Sequence, residues 1–297
     1  MRMTGFISAA GILLALTGIA AAQVAEAPLL GYVFDAAAQG VRPIWGVPGA
    51  ATIGDPVELG VEVTEAVVSP RQNYVLVLTG TDRATGLYSP KTGQVQALAG
   101  VPAGASRIVV SPEGDSAGFY FSDRRELHVV TGLPDAPSPP SVFAGLDEVG
   151  AISDDGAFAV RASDALAMTF LSRSHAGVVV TASGAVRESD LSAAASTRRP
   201  VSSGDLSDVT GVTVSADGQT MVVTHRKSGK VTVIGLSGAE PAEATLDCHC
   251  ANARPVRING TAAWRLSEYN GEPLALLDLG TGSPRVVLVP PAAEVRP

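Results

Sequence analysis

RIVVSPEGDSAGFYF, from Arg107 to Phe121, is one copy of a phrase that runs down this chain. An apolar run meets a serine, a few turn residues follow, and a second apolar run begins. The same order stands in AVVSPRQNYVLVL from Ala66 to Leu78, GAISDDGAFAV from Gly150 to Val160 and VTVSADGQTMVVT from Val212 to Thr224. The anchoring serines are Ser69, Ser111, Ser153 and Ser215; the first three follow one another at steps of 42 residues. A period of about 40–45 residues with several short strands per unit marks a β-propeller blade. The expected fold class is therefore all-β, a β-propeller.

The serine step has a local explanation. Ser and Asp side chains bond the backbone of a tight turn, and Gly supplies the positive φ that the hairpin needs. Ser69, Ser111, Ser153 and Ser215, with Gly114, Gly156 and Gly218, are read as structural blade-turn residues. Around them the second unit divides into strands at Glu65–Val68, Tyr74–Leu78, Gly86–Ser89 and Val95–Leu98. The third divides at Ile108–Val110, Ala117–Phe121, Glu126–Val130 and Ser141–Phe143.

From Ser153 to Ser215 the step is 62 residues, so a degenerate unit lies inside it. Two of its strands are expected at Gly177–Thr181 and Ala185–Glu188, with a loop over Ser192–Asp208. The first unit reads as Leu30–Phe34, a turn at Gly46–Gly49, then Val57–Val63; the last has Ala263–Leu266, Leu274–Leu277 and Arg285–Val289. Units starting near 28, 64, 105, 148, 176, 209 and 252 make seven blades, or six if the degenerate unit is only an insertion. A ring must close, since a free edge strand invites aggregation. The expected closure pairs the N-terminal segment with the last blade near Val286–Val289.

The start of the chain reads as a signal peptide over residues 1–22. Arg2 is the basic n-region, Ile7 to Ala20 the apolar stretch, and Ala20-Ala21-Ala22 the cleavage site. An uncleaved N-terminal anchor is the alternative. The propeller is assigned to 23–290, with a frayed tail at 291–297, and the location is secreted or periplasmic. No membrane span is expected after signal removal. The whole chain carries a net charge of −8, and losing the signal removes Arg2 alone among the charges. That balance argues against nucleic acid as a partner.

The blade phrase (Val68-Ser69-Pro70, Val110-Ser111-Pro112, Val214-Ser215-Ala216-Asp217-Gly218, Val231-Thr232-Val233-Ile234) resembles the WD40-like and YVTN-type bacterial propeller repeats. The WD dipeptide is absent, so the array is not a standard WD40 one. Gly31 to Val57, with LDCHC at Leu246–Cys250, AAWRLSE at Ala262–Glu268 and Leu274–Pro290, is similar to a group of uncharacterised secreted propeller proteins of Acidobacteria. That resemblance implies export and a propeller, and no activity.

Chemistry-bearing residues are sparse. Cys248 and Cys250 flank His249. On an extended strand both thiols face one side with Cα atoms about 6.5 Å apart. A disulfide or buried thiol pair, a redox-active pair, and a metal site with His249 stay open. His128, His175 and His225 are isolated and read as surface or turn residues, His225 at a solvated loop tip. Asp123, Asp154, Asp155, Asp217 and Glu113 serve turns, with calcium as the alternative. Trp45, Trp264 and Tyr269 read as packing residues. Gly46-Val47-Pro48-Gly49 is a turn, since no Gly-Lys-Ser and helix follow to cradle a phosphate. No catalytic, cofactor-binding or metal residue is assigned, and no cofactor is expected. The leading expectation is a monomeric, non-enzymatic module that binds a protein or small ligand on a propeller face. The alternatives are a lactonase-like or other metal-assisted hydrolytic propeller, disfavoured by its aliphatic inner strands, and a redox protein using Cys248 and Cys250.

Overall fold

The computed structural model describes residues 27–291 apart from 203, 238–241, 251–253, 259 and 281. The expected signal peptide (1–22) lies outside the described residues, as does all but the first residue of the expected tail. Every regular element described is a β-strand, and the strands form seven antiparallel sheets. We number these as blades in chain order. Blades two (63–97), three (107–144), five (165–202), six (209–247) and seven (256–289) have four strands each, and blade one (29–53) has three. The fourth position, 149–160, is a two-stranded hairpin. The architecture is thus a β-propeller with six blades and a reduced unit in the fourth place.

Seven apolar clusters fill the seven seams of the ring. The largest two lie between blades two and three, around Tyr74, Leu76, Phe119 and Phe121, and between five and six, around Val178, Val223, Met221 and Ile234. The smallest joins the hairpin to blade five, where Ala151 and Ala159 meet Phe170. Each side chain that faces a seam leaves water, at about 1.5–3 kcal/mol for a fully buried Val, Leu or Phe. The alternation of each central strand decides which residues do so.

The serine turns share one geometry. The amide of Gly114, Gly156 and Gly218 donates to the carbonyl of Ser111, Ser153 and Ser215, at 3.0, 3.1 and 2.9 Å. In the first copy Gln72 takes the glycine's place, at φ 57°. The serine amides close the hairpins, as in Ser69 N to Tyr74 O and Ser215 N to Thr220 O. Blade five makes the same turn without the serine: Leu171 N donates to Ala176 O, and Ser174 N to Leu171 O. Its turn, at Leu171, therefore comes only 18 residues after the one at Ser153, and unit four stops at two strands.

Gly218 sits at φ 68° with open space around a built Cβ, the nearest atom being Leu171 Cδ1 at 3.8 Å. The cost of a side chain there is conformational. Gly218→Val should lower stability by at least ~1–2 kcal/mol, the penalty of the left-handed region, read as a fall in the melting temperature. An unchanged melting curve would remove the strain from this turn.

Several expectations need correction. Arg198–Ser202 is a strand inside the expected loop, pairing with Gly184–Glu188. Its exposed Arg198, Arg199 and Pro200 disguise it, and an outer edge is where a strand tolerates proline. Gly40–Trp45 is a strand hidden by its Arg42-Pro43 step, whereas Val57 makes only an isolated bridge to Val41 and the chain turns at Gly60. Among the described residues Arg285–Val289 pairs with Leu274–Asp278 alone. The seam between blades seven and one is closed by side chains, with Leu30, Val33 and Ile44 against Ile258, Leu276 and Val289, and by one parallel bridge from Asp35 to Tyr269. Residues 23–26 of the expected closing segment lie outside the described residues. Trp264 and Tyr269 are buried, but Trp45 is 38% exposed.

Candidate functional site

The inner strands converge on a central cavity of about 520 Å³. Its walls are largely aliphatic, with Val67, Val109, Ile152 and Val212 among the lining residues. The two ends of the ring differ in kind.

At the end carrying the serine turns, a buried network crosses the ring. Arg257 of blade seven donates from Nη2 to Glu113 Oε1 (2.7 Å) and to Pro112 O (3.2 Å), both in the turn of blade three, and from Nη1 to Ser172 Oγ of blade five (3.3 Å). Only 5% of the Arg257 side chain and 12% of the Glu113 side chain are exposed. Burial pushes the Glu113 carboxyl up, but the hydrogen bonds from Arg257 and Ser172 and the charges of Arg257 and Arg71 hold it below its ordinary value. Arg71 makes a forked pair with Asp115 at 2.6 and 3.1 Å. Asp154 Oδ1 accepts from the Glu113 amide and Oδ2 from the Arg173 amide, both at 2.7 Å, so one carboxylate ties blades three, four and five. Tyr74 Oη donates to Gly114 O at 2.7 Å, joining blades two and three.

This explains most of the acidic residues that the sequence offered as calcium ligands. Asp154 and Glu113 hold blades together; Asp155 accepts from Ser153 and from the Ala157 amide; Asp217 accepts from Ser215 and Gln219. Asp123 lies 3.9 Å from Arg124. Among the described residues no three His, Cys, Asp or Glu side chains gather in a metal-holding group. His175 Nε2 lies 2.8 Å from Asp155 Oδ2, while Ser153 donates to Oδ1 of the same carboxylate. The carboxylate stands between hydroxyl and imidazole, so this histidine is not placed to take the serine's proton.

His225 and His128 are buried, against the surface reading. His225 Nε2 pairs with Thr232 Oγ1 at 2.9 Å, and burial holds its pKa below the ordinary value. His128 packs edge-on against Phe121, ring centroids 4.9 Å apart. Their strands alternate inward at those positions, which isolated-residue reading missed. Cys248 and Cys250 form a disulfide, buried in the seam between blades six and seven. Their Cα atoms are 5.1 Å apart, closer than on a strand, because the strand ends at Asp247 and His249 turns at φ 50°. Both amides of Cys248 and His249 donate to Gly229 O, which fixes the turn.

The opposite end of the channel is built from arginines. Arg107 opens the inner strand of blade three, Arg161 follows the hairpin, and Arg254 precedes the inner strand of blade seven; all three line the cavity. Arg107 Nη1 donates to Val149 O (3.0 Å) and lies 3.4 Å from Glu148 Oε1, and Arg161 Nη2 is 2.8 Å from Glu148 Oε2. Burial lowers the pKa of Arg107, the charges of Arg254 and Arg161 lower it further, and Glu148 opposes them. The carboxylates that line the cavity are engaged elsewhere, Glu65 by Arg83 at 2.6 Å and Glu268 by Arg265 at 2.5 Å. Sequence reading passed over this cluster because its members are about 50 and 90 residues apart and look like ordinary strand-end charges. A signal was present all the same: Arg107, Arg161 and Arg254 each flank an inner or second strand of a blade.

No protein-family model matches this sequence, and no curated protein matches it. Solved structures do share its shape. A functionally unknown protein from Desulfotomaculum acetoxidans is 11% identical with a TM-score of 0.58, over 89% of this chain and 100% of that one. A protein from Lactobacillus plantarum is 13% identical with a TM-score of 0.55, over 90% and 97%. The WD40 repeats of RRP9 are 12% identical with a TM-score of 0.50, over 79% and 82%. At these identities the likeness carries the fold alone: the chain is a β-propeller of WD40-like shape. Function does not follow from fold.

Proposed function

We propose that this chain is an extracytoplasmic, non-enzymatic binding module that takes its ligand or partner at the open, arginine-bearing end of its channel. The observation that carries this reading is the asymmetry of the channel. One end is tied shut by Arg257 and Glu113, while at the other Arg107 and Arg161 share Glu148 and Arg254 lines the cavity with them. A cavity of about 520 Å³ with aliphatic walls and a few polar groups at one mouth is the form of a small-ligand or peptide site. The lining carboxylates, each held by an arginine, are poor general acids or bases. The apolar stretch and Ala20-Ala21-Ala22 at the N-terminus support export.

The test is photo-crosslinking in the intact cell envelope. A photoreactive residue replaces Thr64, which lines the cavity, and in a second protein replaces Gln219, in the Ser215 turn at the other end. Reproducible adducts from position 64 and none from 219 are the expected result. Adducts from 219 alone, or from neither position, would overturn the reading.

A further inference from the structure

We propose that the open end of the channel binds a small oxyanion, the carboxylate or phosphate group of a ligand, on Arg107, Arg161 and Arg254. The inference rests on the binding-module reading and gives that site its ligand class.

The protein as a whole is acidic, at −8, yet its cavity is lined by Arg107, Arg161, Arg254, Arg257 and Arg265 against Glu65 and Glu268. Two of the five are consumed internally, Arg257 by Glu113 and Arg265 by Glu268. Of the remaining three, Arg107 and Arg161 share Glu148. Like charges gathered in a partly desolvated mouth repel one another, and one carboxylate does not neutralise three guanidinium groups. Arg254 has no carboxylate or acceptor among the described residues. Arg107 Nε is buried and likewise lacks an acceptor among them. A buried donor left without a partner has lost its hydration with no hydrogen bond in return, so an acceptor brought to this mouth is favoured.

The fold itself imposes this convergence. Because unit four stops after two strands, Arg161 emerges directly from the hairpin at the channel instead of leading to an outer strand. Arg254 is seated against Gly211 of blade six: a Cβ on Gly211 would come within 3.1 Å of Arg254 Cα and 2.8 Å of Pro255 Cδ. Arg107 is anchored to blade four through the Val149 carbonyl. Three separate blades therefore deliver guanidinium groups to one mouth. A planar fork of N–H donors matches the oxygens of a carboxylate or phosphate. With Glu148 present, the three arginines leave room for a monoanion or dianion.

The experiment is calorimetric titration of the purified full-length protein with inorganic phosphate and, separately, with succinate. Saturable binding of at least one is expected, weaker at high salt, and the preferred probe tells phosphate from carboxylate. Arg254→Gln removes a side chain with no internal partner, so it should leave the unliganded protein folded and no less stable. It should weaken binding at least tenfold and abolish the rise in melting temperature that the anion produces. Arg161→Gln should weaken binding similarly. No binding of either anion, or binding unchanged in both variants, would overturn the proposal. Adducts from position 64 together with absent anion binding would remove the oxyanion and leave the binding module standing.

Discussion

Glu113→Gln should destabilise the ring by about 3 kcal/mol at neutral pH, the lower part of the range for removing one partner of a buried ion pair. The glutamine keeps the shape and an amide oxygen but removes the charge, leaving the Arg257 guanidinium buried beside Pro112 O and Ser172 Oγ without its carboxylate. Those two bonds keep the loss from being larger. Urea denaturation measures it directly. Arg257→Met leaves Glu113 close to Arg71, 3.6 Å away, and should cost less. The double variant should cost less than the sum, because the second substitution removes a charge that the first had orphaned. An additive double variant would mean that the pair does not act as a unit.

The effect also depends on pH in a defined direction. Glu113 is held below its ordinary value of 4.5 in the folded protein, so the unfolded chain binds its proton more readily. Its contribution is fully present above about pH 4.5, the unfolded value, and is lost as pH falls through the depressed folded value. The stability gap between the Gln variant and the parent should therefore be constant near neutrality and shrink in acid. A gap that widened in acid would contradict the assignment of Glu113 as the charged partner.

Phe119→Ala should cost about 3–5 kcal/mol, the usual range for emptying a buried aromatic site. Phe119 is fully buried on Ser116–Phe121, a strand whose six residues are all inside. It packs with Tyr74, Leu76 and Leu78 of the neighbouring blade, so the cavity would open in the seam between blades two and three. Val142→Ala, on the outer strand of the same blade and 53% exposed, should change stability by less than about 0.5 kcal/mol. Comparable losses at the two positions would mean that the seams do not carry the stability of the ring.

Both predictions bear on how much could be read before the fold was known. The period, the strands of units two and three, and a count of seven units followed from local rules: alternation of apolar residues, Ser and Gly turn chemistry, and spacing; but the fifth unit, expected near 176 as the degenerate one, starts at Ala165 and has four strands, and the fourth is the reduced one. Those rules act within a few residues, and a linear string displays them. They failed where the local signal was diluted. Leu171 stands where four of the units have serine, Arg198-Arg199-Pro200 conceals an edge strand, and Pro43 interrupts the second strand of blade one.

The site belongs to the other category. Glu113 and Arg257 are 144 residues apart, and Arg107 and Arg254 nearly 150; no periodicity relates them. The acidic turn residues were legible as turn residues, but which of them would bridge blades was not. Sequence alone determined that this chain forms repeated four-stranded units with serine turns and an apolar face on each side, because those properties reside in short segments. Only the tertiary structure decided that one end of the channel is locked and the other lined with arginine. That outcome depends on which strand ends the ring brings face to face, and ring geometry is a property of all seven positions together.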